Sequence, residues 1–190
     1  MIKIFSLIVG GLILLAILLY GYLTYVQKFD LGTVFQSATQ GNTKGNTQAF
    51  KFSGMSMSPN LLDGQYWISD KTVYISSSPQ RGDVVTFKDL KDPNLIYAKR
   101  IVGLPGEEIE IKEGQVYVNG QLLNEPYLAP EAITVNGDYP KEREKLKIPA
   151  DNYYILGDNR PKSSDSRIFD SVPRVNITGK LTSCYKDCNK

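Results

Sequence analysis

From Ile4 to Val26 the chain runs for 23 residues without a charged side chain. As a helix this stretch would extend roughly 35 Å, enough to cross a bilayer core with some tilt. Tyr20, Tyr22 and Tyr25 cluster at its C-terminal end, where an interfacial aromatic belt would lie. A cleavable leader is the competing reading, but the run is longer than a usual leader core and no small-x-small cleavage site closely follows it. The sequence therefore predicts an uncleaved single-span anchor over residues 1–27. Lys3 and the amino terminus flank one end, Lys28 and Asp30 the other, a slight orientation bias.

Past the anchor, residues 28–48 read as a polar juxtamembrane tether, most clearly from Gln36 to Gln48, where Gly, Thr, Asn and Gln dominate. From Ala49 onward short apolar runs alternate with turn signals. Gln65–Ser69, Asp83–Phe87, Ile96–Val102, Glu108–Ile111, Gln115–Val118 and Tyr153–Leu156 have strand character. Asn119-Gly120 between QVYV and QLL is a strong two-residue hairpin signal. The stretch from Pro126 to Ala150 is charged and irregular, and only Lys141–Lys147 within it suggests a short helix. With 12 Tyr, 16 Gly and 10 Pro, composition also favours strands and turns over long helices. The expected fold is mostly β, with antiparallel sheets forming a compact domain over 49–183 and a tail over 184–190.

Charge and residue absences narrow the chemistry. Twenty-two basic against 20 acidic residues leave a net charge of +2, unlike the basic stripe of a nucleic-acid binder. The chain has no histidine, which removes Ser-His-Asp and Cys-His mechanisms and any zinc site needing imidazole. Its two cysteines, Cys184 and Cys188, are too few for a closed metal site. They either pair with each other outside the cytoplasm or stand as two incidental thiols. Neither metal nor cofactor is expected, so chemistry rests on Ser, Thr, Lys, Tyr, Asp or Glu.

Ser56 lies in Ser53-Gly54-Met55-Ser56-Met57-Ser58-Pro59-Asn60, at the front of the β domain. Gly54 permits close backbone approach and Pro59 stiffens the turn, a setting that can place a hydroxyl beside free N–H groups. Without histidine, the natural base for a serine is a lysine kept neutral by burial. Lys99 interrupts the apolar strand Leu95–Val102, with Tyr97 and Ile101 on its own face and Ala98, Arg100 and Val102 on the other. Taken singly, each has a plainer explanation: an ordinary loop serine, and a sheet-edge lysine reaching for water. A polar cluster, Gly157 to Arg167, directly follows the strand Tyr153–Leu156.

Three segments in order, Ser56-Met57-x-Pro59, then Tyr97-Ala98-Lys99-Arg100-Ile101-Val102-Gly103-Leu104-Pro105-Gly106, then Gly157-Asp158-Asn159-Arg160-x-x-Ser163-x-Asp165-Ser166-Arg167, resemble type I signal peptidases. Arg81-Gly82-Asp83-Val84-Val85 and the Val116–Gly120 hairpin fit the same family, so the resemblance covers most of residues 49–180. It implies a membrane-anchored serine endopeptidase in which Ser56 is the nucleophile and neutral Lys99 the general base. Ser163 would hydrogen-bond and orient Lys99, while Asp158, Asp165, Arg100 and Arg167 would be ion-paired supports. The oxyanion hole would use the Ser56 N–H, with Gly54 where some members place a second donor. Met55, Met57, Tyr97 and Ala98 are candidates to contact substrate. Asn60 stands where the family usually shows Thr, and Asp170 where Gly is frequent. The implied partners are secretory preproteins with small residues at −1 and −3, the lipid bilayer and the nearby translocase. The implied location is the plasma membrane, with the catalytic domain on its extracytoplasmic side.

Two rival readings remain. Self-cleaving repressors share the Ser/Lys chemistry, but they are cytosolic and lack a 23-residue apolar anchor. A non-catalytic membrane-tethered β domain that binds peptides would have no need for Ser56, Lys99 and Ser163 together.

Overall fold

The computed structural model describes residues 46–141 and 144–188. The anchor over 1–27 and nearly all of the tether lie outside the described residues. Among those described, no helix is long and apolar enough to cross a membrane.

Among the described residues, eleven strands build two antiparallel sheets. They are β1 (Thr47–Lys51), β2 (Tyr66–Asp70), β3 (Val84–Lys88), β4 (Ile96–Gly103), β5 (Glu108–Lys112), β6 (Gln115–Val118), β7 (Gln121–Leu122), β8 (Lys145–Lys147), β9 (Asn152–Leu156), β10 (Val172–Pro173) and β11 (Ile177–Lys186). The larger sheet has the order β1-β2-β11-β3-β4-β9-β10 and the smaller β7-β6-β5-β8. A single turn of helix, α1 (Ser166–Phe169), follows β9. Mostly β architecture was expected, and all six expected strands are present within a residue or so at each end. Asn119 and Gly120 join β6 to β7 with φ of 51° and 78°, the two positive values that a tight hairpin turn needs.

Several expectations are corrected. Lys145–Lys147, expected to be helical, pairs with Glu108–Glu110 as an edge strand, because Leu146 can pack on the apolar face of β5. Strand β1 begins at Thr47, inside the expected tether, where pairing with β2 holds polar residues that would not order alone. β11 continues through Cys184 to Lys186, so the expected tail begins inside the sheet. Cys184 and Cys188 form a disulfide. Asp170 has φ +69° at the end of α1, a conformation that suits glycine.

Three apolar clusters hold the sheets. Val85, Phe87, Ile101, Tyr153, Ile155, Val172 and Ile177 fill the first, on one face of the larger sheet. A second joins Val102, Tyr154 and Leu156 of that sheet to Ile109, Ile111, Val116 and Val118 of the smaller one. The third, Phe50, Phe52, Met57, Leu61, Ala98 and Leu181, lies under the β1–β2 connection. Burying side chains of this size stabilises by about 1.5–3 kcal/mol each. The third cluster therefore fixes where the chain between Phe52 and Gln65 can sit.

Candidate active site

That connection carries Ser56. Its path is set by local hydrogen bonds: the Ser58 N–H donates to Met55 O (3.1 Å), and the N–H groups of Asn60 and Leu61 to Met57 O (3.1 and 3.0 Å). Met57 points inward at 1% exposure and anchors the turn to the third cluster. Gly54, at φ +96°, donates its N–H to Asp63 Oδ1 (2.7 Å). The turn is thus pinned on both sides of the serine.

Lys99 reaches Ser56 from the middle of β4, where its register partner is Val85 on β3. Its Nζ lies 2.9 Å from Ser56 Oγ and donates to Ala98 O at 3.1 Å. The side chain is 4% exposed, and no salt bridge to a carboxylate reaches it among the described residues. Burial pushes its pKa from the ordinary 10.5 down to about 8, against the opposing pull of Asp165 and Asp158. A fraction of this amine is therefore neutral near pH 7, which a surface lysine is not.

The two nearby carboxylates are held away from the amine by arginines. Asp158 accepts from Arg100 Nε (2.8 Å) and Nη2 (2.6 Å), and Asp165 from Arg167 Nε (2.8 Å) and Nη2 (2.9 Å). Both pairs are nearly buried and bidentate, the strong form of such contacts. Asp165 also caps α1 and accepts the Gly157 N–H, so one carboxylate orders the loop on both sides of Ser163. In this arrangement the four charged residues expected as supports are brought together as two ion pairs.

The expected contact from Ser163 to Lys99 is not made. Ser163 Oγ is buried and has no hydrogen-bond partner among the described residues, and the lysine takes Ser56 Oγ and Ala98 O instead. Ser163 nonetheless lies close by. A Cβ added to Gly157 would sit 2.5 Å from Ser56 O and against Ser163 Oγ, so only glycine fits between nucleophile turn and Ser163 loop. The Asn159 N–H donates to Ser56 O (3.0 Å), closing that seam.

Of the two expected oxyanion donors, the Ser56 N–H has no partner among the described residues. The Gly54 N–H is taken by Asp63 and offers none. The expected substrate contacts also divide. Met55 is 56% exposed beside the serine. Met57 and Ala98 are core side chains of the third cluster, and Tyr97 packs on Phe87 with ring centroids 5.9 Å apart. Met57 and Ala98 are buried in that core, whereas Tyr97 stays partly exposed at the start of β4.

Other participants carried no local signal. Asn60 Nδ2 donates to both Asp158 Oδ2 and Tyr127 O (2.8 Å each), tying the serine turn to the Arg100 pair. Arg160 is fully buried and donates to Glu125, to Thr134 Oγ1 and to Gly157 O, bracing the loop from behind. Apart from the local bond to Gly157 O, these contacts join residues far apart in sequence, which no spacing rule reveals.

The chain matches the model of the family described as "Signal peptidase, peptidase S26" over residues 43–186. It is 40% identical over 131 residues to a probable signal peptidase I-2 of Synechocystis sp., covering 66% of this chain and 56% of that protein. To signal peptidase I P of Bacillus subtilis subsp. natto it is 34% identical over 127 residues, 63% of this chain and 66% of the relative. To signal peptidase IB of Staphylococcus aureus strain COL it is 35% identical over 144 residues, 70% and 74% respectively. The match thus spans a little over half of the Synechocystis protein. A crystal structure of a signal peptidase I from Enterococcus faecalis V583 aligns with TM-score 0.47 and 36% identity, covering 56% of this chain and 98% of that one.

Proposed function

The chain belongs to the signal peptidase family, peptidase S26, and on that premise we propose that it is a membrane-anchored serine endopeptidase removing signal peptides from secretory preproteins. The observation that carries the mechanism is the 2.9 Å approach of a buried Lys99 Nζ to Ser56 Oγ. With Lys99 neutral, the hydroxyl donates its proton to the amine lone pair as Oγ attacks the scissile carbonyl. The Ser56 N–H stabilises the resulting oxyanion. When the C–N bond breaks, the Lys99 ammonium passes the proton to the departing amine, the new N-terminus of the mature chain.

An acyl-enzyme is left on Ser56. Lys99, neutral again, takes a proton from the water whose oxygen attacks the ester, then returns it to the departing Ser56 Oγ. The signal peptide leaves as a carboxylic acid that ionises in water. Once Oγ is acylated, Lys99 Nζ loses that partner, and the buried, unused hydroxyl of Ser163 becomes the group that holds it. A carboxylate at that position would instead favour the ammonium and quench the base.

The substrate lies extended along β4. Strand β9 pairs with β4 only from Arg100 onward, so among the described residues the Ile96–Lys99 edge has no strand partner on that side, and it ends beside Ser56. Main-chain addition there would place the scissile bond at the serine. Shallow pockets would admit the small side chains at −1 and −3 of signal peptides. The anchor of residues 1–27 would hold this site at the outer face of the plasma membrane, near the translocase.

The test is to offer the detergent-solubilised full chain a preprotein with an Ala-x-Ala site and sequence the product's N-terminus. Cleavage directly after the second Ala is expected, with loss of cleavage when that Ala is replaced by Leu. Cleavage that ignores the −1 residue would contradict the assignment.

A further inference from the structure

The disulfide takes no part in this chemistry, yet it is connected to the nucleophile turn through one buried side chain. Gln65 is 4% exposed, at the entry to β2. Its Nε2 donates to Cys188 O (3.3 Å), and its Oε1 accepts from the Leu62 N–H (2.9 Å) and Trp67 Nε1 (3.0 Å). Its main-chain carbonyl accepts from the Phe52 N–H (2.7 Å), and Phe52 O in turn accepts from Gly64 N–H (2.9 Å). Leu62 adjoins Leu61, whose N–H is bonded to Met57 O within the serine turn. Phe52 and Met57 share the third apolar cluster.

We propose that Gln65 and the disulfide-closed Cys184–Cys188 loop form a clasp that positions the nucleophile turn. The proposal rests on reading Ser56 as the nucleophile. Beyond the end of β11 at Lys186, Cys188 is held by its bond to Cys184 and by Gln65. The disulfide closes the Cys184–Cys188 loop and so holds Cys188 O within reach of Gln65, whose neutral hydrogen bond alone returns little. Without the covalent link, Cys188 O therefore leaves Gln65. The amide Nε2 is then buried without an acceptor, and the side chain reorients to satisfy it, withdrawing Oε1 from Leu62. The chain that follows the serine turn loses a support at Leu62. Gln65 and the disulfide are positioning groups; neither touches the reacting atoms.

The chain has only two cysteines, so a dithiol reductant acts on a single bond. Reduction breaks the S–S bond and gives two thiols while the dithiol closes to its own disulfide. Preprotein cleavage is measured before and after dithiothreitol, with both thiols counted by alkylation and mass. We expect kcat to fall roughly tenfold with KM within about twofold, since displacing a nucleophile by a fraction of an ångström acts on the chemical step. Gln65→Glu keeps acceptors for Leu62 and Trp67 but loses the donor to Cys188, and it reproduces the loss without reductant. Cys184→Ser/Cys188→Ser starts at the reduced level and does not respond to dithiol.

A merely structural role would lower the melting temperature and the active fraction but leave kcat per active site unchanged, and that result overturns the proposal. Amide exchange at Phe52, Leu62 and Gly64 needs no turnover and accelerates on reduction; unchanged exchange also overturns it. Failure of the untreated protein to cleave would instead fall on the Ser56 reading, with the exchange experiment still deciding the clasp.

Discussion

Substituting Lys99 with methionine is expected to lower kcat/KM for preprotein cleavage by at least ~10³-fold while making the protein more stable. The loss follows because methionine fills the buried slot but has no lone pair to take the Ser56 proton. The gain follows from linkage. An unfolded lysine titrates near 10.5 and the folded Lys99 near 8, because burial disfavours its charge. Between those values the unfolded chain holds a proton that the folded one does not, so stability rises with pH across that window. Below about pH 8 both states are protonated and the full burial penalty, about 3 kcal/mol by this shift, is present. Methionine removes it, so the melting temperature at pH 7 should rise by about 5–10 °C. Ser56→Ala should lose a similar factor in activity with little change in stability. The double variant should be no worse than either single, because the two act as one unit. Retained activity in Lys99→Met, or a melting temperature lower than wild type at pH 7, would contradict this account.

The second large effect concerns Glu125, which lies 35 residues from its partner and outside the reacting groups. Glu125→Ala is expected to destabilise the protein by about 3–5 kcal/mol in urea unfolding. Arg160 is fully buried and its guanidinium has Glu125 as its ion-pair partner, so removing the carboxylate leaves a desolvated cation. The exposed Lys145–Glu108 pair is screened by water, so Lys145→Ala is the matched control and should change stability little. Replacing both buried partners by apolar residues of similar volume should recover most of the loss, because then no charge is stranded. Activity should fall with stability in Glu125→Ala, since Arg160 also braces Gly157 O at the seam between Ser56 and Ser163. A destabilisation under about 1 kcal/mol would show that water or another group compensates the arginine.

Local patterns in the chain carried much of this molecule. The six strands with clear apolar alternation were legible, as was the Asn119-Gly120 turn, because each depends on residues within a few positions of one another. β11 was not. In Ile177–Leu181 the inward positions are Ile177, Gly179 and Leu181, and the central glycine erases the alternation. It is glycine because a Cβ there would lie 2.9 Å from Asp70 O and press on Ser69. β1 and β8 are short and polar, and they become strands by pairing with β2 and β5.

The Ser56, Lys99 and Ser163 set was legible through ordered motifs, and so were the four charged residues of Arg100–Asp158 and Arg167–Asp165. Side-chain direction was not legible. Met57 and Ala98 flank the reacting residues in sequence but turn into the core, because alternate positions on a buried strand or turn face opposite ways. Asn60, Gln65 and Glu125 act across 98, 123 and 35 residues of chain respectively. Contacts at that separation are products of the fold.

The central claim is that a buried, neutral Lys99 is the base for Ser56, and the pH dependence of kcat/KM tests it most directly. Measured from pH 5 to 11 on a preprotein without ionisable groups near its cleavage site, the profile should fall on acidification through a single inflection near pH 8, where Lys99 gains its proton. A rate that stays level down to pH 5, or one that rises only through the ordinary lysine value of about 10.4, would contradict it.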